Sequence, residues 1–183
     1  MDLTDHERRK YEACWADDKY RERSPAMEHV VEAYAILSCN SVYDFGCGTG
    51  RSTRWWNAHG VDAVGIDFAR NALDADFPMD NFVEACLWDM PRMDVKDGGF
   101  CCDVMEHIPP QHIDAVLKGI FDRTRYGCYF SISYRPDTHG KRIVGAPLHL
   151  SIYPKTWWVE KLLYFWDEVE HTAKGGLVAW RHN

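Results

Sequence analysis

The stretch from Ser41 to Gly50, Ser-Val-Tyr-Asp-Phe-Gly-Cys-Gly-Thr-Gly, constrains the chain more than any other. Val42, Tyr43 and Phe45 read as a short buried strand, and Asp44 interrupts it near its end. Gly46, Gly48 and Gly50 then alternate through a turn that opens a helix. Such a turn binds an anion or a nucleotide, because its backbone N–H groups point outward and no Cβ blocks close approach.

The flanking pattern says what carries the turn. A helix is expected over residues 4–17, with Thr4 or Asp5 as its N-cap, and a mixed-charge aromatic stretch follows from Trp15 to Arg23. Ser24-Pro25 reads as a capped helix start, after which Met27, Val30, Val31, Tyr34 and Ala35 turn one face inward. Beyond Gly50 the pattern predicts a helix at 51–59 stopped by Gly60, a strand at 61–67 and a helix at 69–75. A strand at 81–87, a loop at 88–99 and a strand at 100–105 come next. Pro109-Pro110 opens a helix with Ile113, Val116, Leu117, Ile120 and Phe121 on one face, and a strand runs over 126–134. Strands alternating with amphipathic helices make an α/β fold with a mostly parallel sheet covered on both faces. Ligands of such sheets bind beyond the carboxyl ends of the strands, where Asp44–Gly50, Asp67, Asp89 and Asp103–His107 all fall. Residues 135–154 are long and irregular, as a substrate lid would be. A helix at 155–166 and two β-like runs around the turn Lys174-Gly-Gly176 close the chain.

Composition sets the class. The 183 residues are expected to form a single domain, 1–183, with 1–37 as a helical cap and 38–183 as the core. An apolar fraction of 46% excludes a disordered chain, and no apolar run is long enough to span a membrane. The polar N-terminus is not a signal peptide, and the seven cysteines contain no C-x-x-C pair. That usage fits a reducing compartment, so the chain is placed in the cytoplasm. A net charge of −7 argues against nonspecific nucleic-acid binding.

The residues around the turn separate the nucleotide classes. A phosphate-binding NTPase loop needs a Lys after its last glycine, and none is present. A nicotinamide or flavin site needs a third glycine where Arg51 stands. Asp44-Phe-Gly46 matches a kinase triplet, but the partner motifs are missing. The remaining reading is a resemblance. Val42-x-Asp44-Phe-Gly46-Cys-Gly48-Thr-Gly50 resembles the first motif of class I S-adenosylmethionine-dependent methyltransferases. Val64-Gly-Ile-Asp67-Phe68, Leu87-Trp88-Asp89 and Asp103-Val-Met-Glu106-His107-Ile-Pro109 resemble the later motifs in order, over about 140 residues, and the chain looks like a small bacterial or phage-type member.

The resemblance implies a Rossmann-like, doubly wound fold: a seven-stranded sheet with an antiparallel C-terminal hairpin and an N-terminal helical cap. It also implies S-adenosylmethionine as cofactor. Gly46, Cys47, Gly48 and Gly50 would meet its amino-acid tail and sugar edge, and Asp44 its ammonium. Asp67 would accept from the ribose hydroxyls and Asp89 from the adenine amino group, with Phe68 and Trp88 against the ring. Asp103 at the fourth strand and Tyr20 from the N-terminal stretch complete the expected cofactor set, with Tyr20 or Arg23 meeting the methionine carboxylate.

Methyl transfer is an in-line displacement, in which proximity and orientation supply on the order of 7–11 kcal/mol. The candidate bases are His107 after the fourth strand and His149 in the lid. Asp103, Glu106 and His107 also raise a metal reading, but no metal is assigned. The fourth-strand segment lacks the Asn/Asp-Pro-Pro-aromatic motif of amino-group DNA methyltransferases. The expected acceptor is therefore a hydroxyl or amine of a small molecule, and Arg135, Lys141 and Arg142 suggest an anionic one. The alternatives are a noncatalytic cofactor-binding module and an enzyme acting on protein or RNA. Oligomeric state is left open.

Overall fold

The computed structural model describes residues 3–182; residues 1, 2 and 183, the ends of the expected domain, lie outside them. Seven strands form one sheet: β1 (Ser41–Phe45), β2 (Asp62–Asp67), β3 (Phe82–Glu84), β4 (Lys96–Cys102), β5 (Thr124–Ser131), β6 (Glu168–His171) and β7 (Leu177–Trp180). Their order is β3-β2-β1-β4-β5-β7-β6. The first five are mutually parallel, and β7 runs antiparallel between β5 and β6. This is the expected seven-stranded α/β sheet with an antiparallel C-terminal hairpin. The order reverses at β1, so the glycine turn leaves the sheet at its switch point.

The helices are α1 (Leu3–Trp15), α2 (Asp18–Arg21), α3 (Ala26–Leu37), α4 (Arg51–Ala58), α5 (Ile113–Arg123), α6 (Gly140–Ile143) and α7 (Lys155–Leu163). One core joins Val30, Ala33 and Leu37 of α3 and Trp56 of α4 to Val42, Phe100 and Tyr129 of the sheet. The other joins Val116, Leu117 and Ile120 of α5 and Trp158 and Leu162 of α7 to Phe45, Ile66 and Phe130. Sheet residues thus alternate between two covered faces. No helix among the described residues is long and apolar enough to cross a membrane.

Several boundaries differ from those predicted. The buried face of α3 is Val30, Ala33 and Leu37, while Val31, Tyr34 and Ala35 lie outside it. Tyr34 instead packs edge-on to Trp55, at 5.5 Å between ring centroids. Ser24 makes no side-chain cap, and α3 begins at Ala26 with Pro25 in the N-cap position. The helix expected at 69–75 shrinks to a single 3₁₀ turn, Arg70–Ala72. The chain is drawn back there, since the Asp74 N–H donates to the Thr49 carbonyl at 3.1 Å and Phe77 fills the space behind Gly50. β4 starts four residues before the expected strand, because Gly98 and Gly99 belong to it. A Cβ on Gly99 would stand 2.7 Å from Cys128 Sγ, so close strand packing outweighs the low strand preference of glycine. β4 ends at Cys102, where Asp103 turns out of the sheet with φ +53°.

Candidate functional site

Everything at the switch point begins with how the turn is held. The N–H groups of Gly46 and Cys47 both donate to the Ile66 carbonyl, at 2.8 and 3.1 Å. The Gly48 N–H donates to Asp67 Oδ2 at 3.0 Å, and the Ala69 N–H to Asp67 Oδ1 at 2.9 Å. One carboxylate therefore ties the β1 turn to the β2 turn. Asp67 is buried, and burial raises its pKa against the lowering effect of the Ala69, Gly48 and Phe68 N–H groups. Gly46, Gly48 and Gly50 have φ of +73°, +51° and +74°. A Cβ on Gly46 would strike Val104, and one on Gly48 would stand 2.9 Å from the Trp15 ring.

Two cavities meet at this turn. The first is a narrow slot of about 100 Å³ beyond β1, β2 and β4, walled by Phe68, Ala85, Leu87, Trp88, Val104 and Ile108, with Asp67 and Asp103 as acidic groups. Its outer wall is α1, which contributes Glu7, Tyr11 and Trp15. Trp88 stacks on His112, with centroids 4.9 Å apart, and donates from Nε1 to Thr4 Oγ1 at 3.2 Å. The second cavity, of about 530 Å³, opens past Cys47, Gly48 and Thr49 towards residues 133–149. Arg23, Arg135, His139 and His149 line it, against Asp103 and Asp137. Trp15, Tyr20, Gly46, Asp103 and His107 border both.

The wall of the second cavity is braced by Asp137. Its carboxylate accepts the N–H groups of Gly140, Leu148 and His149, at 2.6, 2.7 and 3.2 Å. Burial pushes its pKa up, but the three N–H groups together outweigh it and the net shift is downward. Two links join this wall to the N-terminal segment: Arg23 Nη1 meets His139 Nε2 at 2.7 Å, and Arg142 pairs with Asp17 at 3.6 Å.

At the junction lies an acidic and imidazole group. Glu106 is fully buried, and burial together with the Asp103 charge raises its pKa well above the carboxylate range. Asp103 is raised by burial as well. His107 Nδ1 meets the Tyr11 hydroxyl at 2.7 Å and the Leu148 carbonyl at 3.2 Å. Burial, then His149, lowers its pKa to about 3, so its imidazole is neutral at physiological pH. The two imidazoles stand edge to face, 4.6 Å between centroids.

Of the residues expected from sequence, the structure brings Gly46, Cys47, Gly48, Asp67, Phe68, Trp88, Asp103, Tyr20, His107 and His149 to the two cavities. Three are placed elsewhere. Asp44 lies beneath the turn and accepts from Ser52 Oγ and Thr53 Oγ1 at 2.6 and 2.7 Å. It is held by the first turn of α4, and burial lifts its pKa to about 6 despite those hydroxyls. Gly50 packs its backbone on Phe77 as the N-cap of α4. Asp89 is exposed, because its N–H closes a turn onto the Cys86 carbonyl and its side chain leaves the slot. Lys141 and Arg142 are exposed, and neither lines the larger cavity; Arg23 and His139 do. Sequence reasoning missed Glu7 and Tyr11, and reached Trp15 only as the start of the aromatic stretch that runs to Arg23. Their i, i+4, i+8 spacing puts them on one face of α1, which was the available signal.

Comparison with known proteins agrees with this geometry. The chain resembles the Burkholderia thailandensis 1,6-didemethyltoxoflavin-N1-methyltransferase, solved with 1,6-didemethyltoxoflavin and S-adenosylhomocysteine, at TM-score 0.69 and 15% identity, over 96% of this chain and 87% of that one. It resembles the magnesium protoporphyrin IX methyltransferase of Synechocystis PCC 6803, solved with S-adenosylhomocysteine, at TM-score 0.61 and 19% identity, over 86% and 82%. It also resembles the small RNA methyltransferase HEN1, at TM-score 0.63 and 14% identity, over 86% of this chain and 25% of that one. At these identities the likeness is one of fold. No curated protein sequence matches the chain. Residues 42–127, from β1 into β5, match the family described as a methyltransferase domain. That match spans the glycine turn and strands β1 to β4, and the chain shares its sheet order and fold with these methyltransferases.

Proposed function

We propose that the chain binds S-adenosylmethionine in the slot under α1 and methylates a hydroxyl or amine of a small acceptor held in the larger cavity. The observation that carries this reading is the junction: Trp15, Tyr20, Gly46, Asp103 and His107 border both cavities, so ligands in the two would meet there. When bound, the cofactor supplies a methyl carbon activated by its sulfonium.

The residues present fit that ligand. The slot offers apolar walls to a flat base, and Asp67 offers a carboxylate to the ribose hydroxyls. The glycine turn offers close backbone approach to the amino-acid tail, where a Cβ on Gly46 or Gly48 would intrude. Asp103, at the border, takes over from the deeper Asp44 the role of meeting the ammonium.

Residues 135–154 act as the acceptor lid, and Arg23 and Arg135 favour an anionic acceptor. At the junction His149 draws the proton off the acceptor's attacking atom, and the neutral His107 imidazole orients it. The test is incubation with methyl-labelled S-adenosylmethionine and fractionated extract, read by mass spectrometry. S-adenosylhomocysteine should appear only with a small-molecule fraction, with the label in its product. Label in RNA or protein instead, or cofactor binding with no turnover in any fraction, would overturn the reading.

A further inference from the structure

The junction holds a donor set that proton transfer alone leaves unexplained. Glu106, His107 and His149 each place one coordinating atom so that all lie within 4.8 Å of one another. Each is fixed by partners away from that meeting point. Glu106 Oε1 accepts the Ser133 N–H at 3.0 Å, while its Oε2 is buried without a hydrogen-bond partner among the described residues. The Glu106 carbonyl accepts the N–H groups of Leu150 and Ser151 at 2.7 and 2.9 Å, which holds the chain beside His149 in place.

The imidazoles are fixed by carbonyls. His107 Nδ1 faces the Leu148 carbonyl at 3.2 Å, and His149 Nδ1 faces the Arg135 carbonyl at 2.5 Å. A carbonyl only accepts, so His149 Nδ1 carries the hydrogen and its Nε2 keeps the lone pair; His107 takes the same form when its Nδ1 hydrogen is shared between the Leu148 carbonyl and the Tyr11 hydroxyl, 2.7 Å away. Carbonyl-anchored histidines of this kind are how proteins orient metal ligands. A buried carboxylate oxygen is costly unless something positive meets it; without an ion that partner is a proton shared with the Asp103 side chain, which then hydrogen-bonds Glu106. Beside it, Asp103 sits on a left-handed backbone, φ +53°, a conformation that clusters at functional sites.

We propose that Glu106 Oε2 and the Nε2 atoms of His107 and His149 bind one divalent first-row transition ion, such as Zn²⁺ or Mn²⁺, with Asp103 as the neighbouring carboxylate. Two imidazoles and a carboxylate suit such ions better than Mg²⁺ or Ca²⁺. Sequence alone weighed Asp103, Glu106 and His107 and assigned no metal. What the fold adds is His149, brought 42 positions along the chain to the same point. The role of the ion rests on the methyltransferase reading: an acceptor hydroxyl on the open side of the metal would lose its proton more readily. His107 and His149 would then serve the acceptor as ligands of the ion. Binding of the ion itself does not depend on that reading.

The experiment is titration of the untagged full-length chain with Co²⁺, followed by visible absorption, and competition by Zn²⁺. One equivalent should give ligand-field bands that Zn²⁺ displaces. His149→Ala, in an irregular segment, should fold and weaken Co²⁺ binding at least tenfold, and Glu106→Gln should do the same with its far-ultraviolet circular dichroism retained. No band at equimolar Co²⁺, or bands unchanged in both variants, would overturn the proposal. Calorimetry with S-adenosylhomocysteine on the same samples separates the two ideas. Metal binding without nucleoside binding would sink the methyltransferase reading and leave the metal site standing.

Discussion

Replacing Asp67 by Asn tests the slot through its most constrained side chain. An ionised carboxylate has about four acceptor sites. Two are already taken by the Gly48 and Ala69 N–H groups, at 3.0 and 2.9 Å. The remaining capacity, on which the Phe68 N–H also draws, is what the ribose hydroxyls would use. Asn keeps one acceptor oxygen and turns the other into a donor, so it cannot serve both backbone groups and both hydroxyls. It loses the charge and about one cofactor hydrogen bond, worth roughly 1.5–3 kcal/mol when charge-assisted. That converts to about a 10- to 150-fold rise in Kd. Isothermal calorimetry with S-adenosylhomocysteine reads it directly, with thermal unfolding confirming a folded variant. Asp44→Asn is the matched control. Asp44 is just as buried, but its partners are Ser52 and Thr53, so the Kd should change far less. A Kd for Asp67→Asn within twofold of the parent, or an equal loss in both variants, would refute the assignment.

Three further outcomes are expected. Gly60 and Gly50 both have left-handed backbones, but a Cβ on Gly60 meets nothing within 4 Å while one on Gly50 would run into the Phe77 ring. In urea unfolding Gly60→Ala should cost about 1–2 kcal/mol, and Gly50→Ala about 1–3 kcal/mol more; equal losses would show that Phe77 yields freely. The pKa of Asp44 is lifted from 3.8 to about 6 by burial, so between these values the folded state holds a proton that the unfolded chain has released. Its contribution to stability therefore falls as pH rises from about 4 to 6, by up to about 3 kcal/mol, and is flat above; the difference in unfolding free energy between parent and Asp44→Asn should trace that curve. A difference independent of pH would show that Asp44 titrates normally. Charge reversal at Arg23 and Arg135 should raise the acceptor KM in a salt-dependent way while leaving cofactor Kd within threefold, whereas an unchanged KM would remove the anionic acceptor.

The sheet was legible because each parallel strand is a short apolar run ending in a polar or glycine residue, a pattern that survives without knowledge of its neighbours. The Gly98-Gly99 start of β4 was not legible: glycine reads as loop, and only the crowding by Cys128, Thr124 and Phe45 explains it. The α3 face failed for a related reason. Val31 and Tyr34 are apolar enough to suggest a core, but Ala33 is the residue that fits against the sheet. In the site, the positions of Gly46, Gly48 and Asp67 beside the cavities were readable because they are fixed locally at strand ends, whereas Gly50 turns against Phe77. Asp89 misled, since an acidic residue after apolar ones says nothing about which way the following turn throws it. Glu106 with His149, and Tyr11 with His107, are contacts between distant segments, and no local spacing encodes them.

The central claim is that the slot between the glycine turn and α1 is an S-adenosylmethionine site. Calorimetric titration of the full-length chain with S-adenosylmethionine, and in parallel with ATP and NAD, tests it most directly. The account predicts one saturable site for S-adenosylmethionine, competed by S-adenosylhomocysteine, and no comparable heat from ATP or NAD, since no Lys follows the turn and Arg51 stands where a third glycine would be needed. A folded chain that takes up ATP or NAD and shows no saturable heat with S-adenosylmethionine would contradict it.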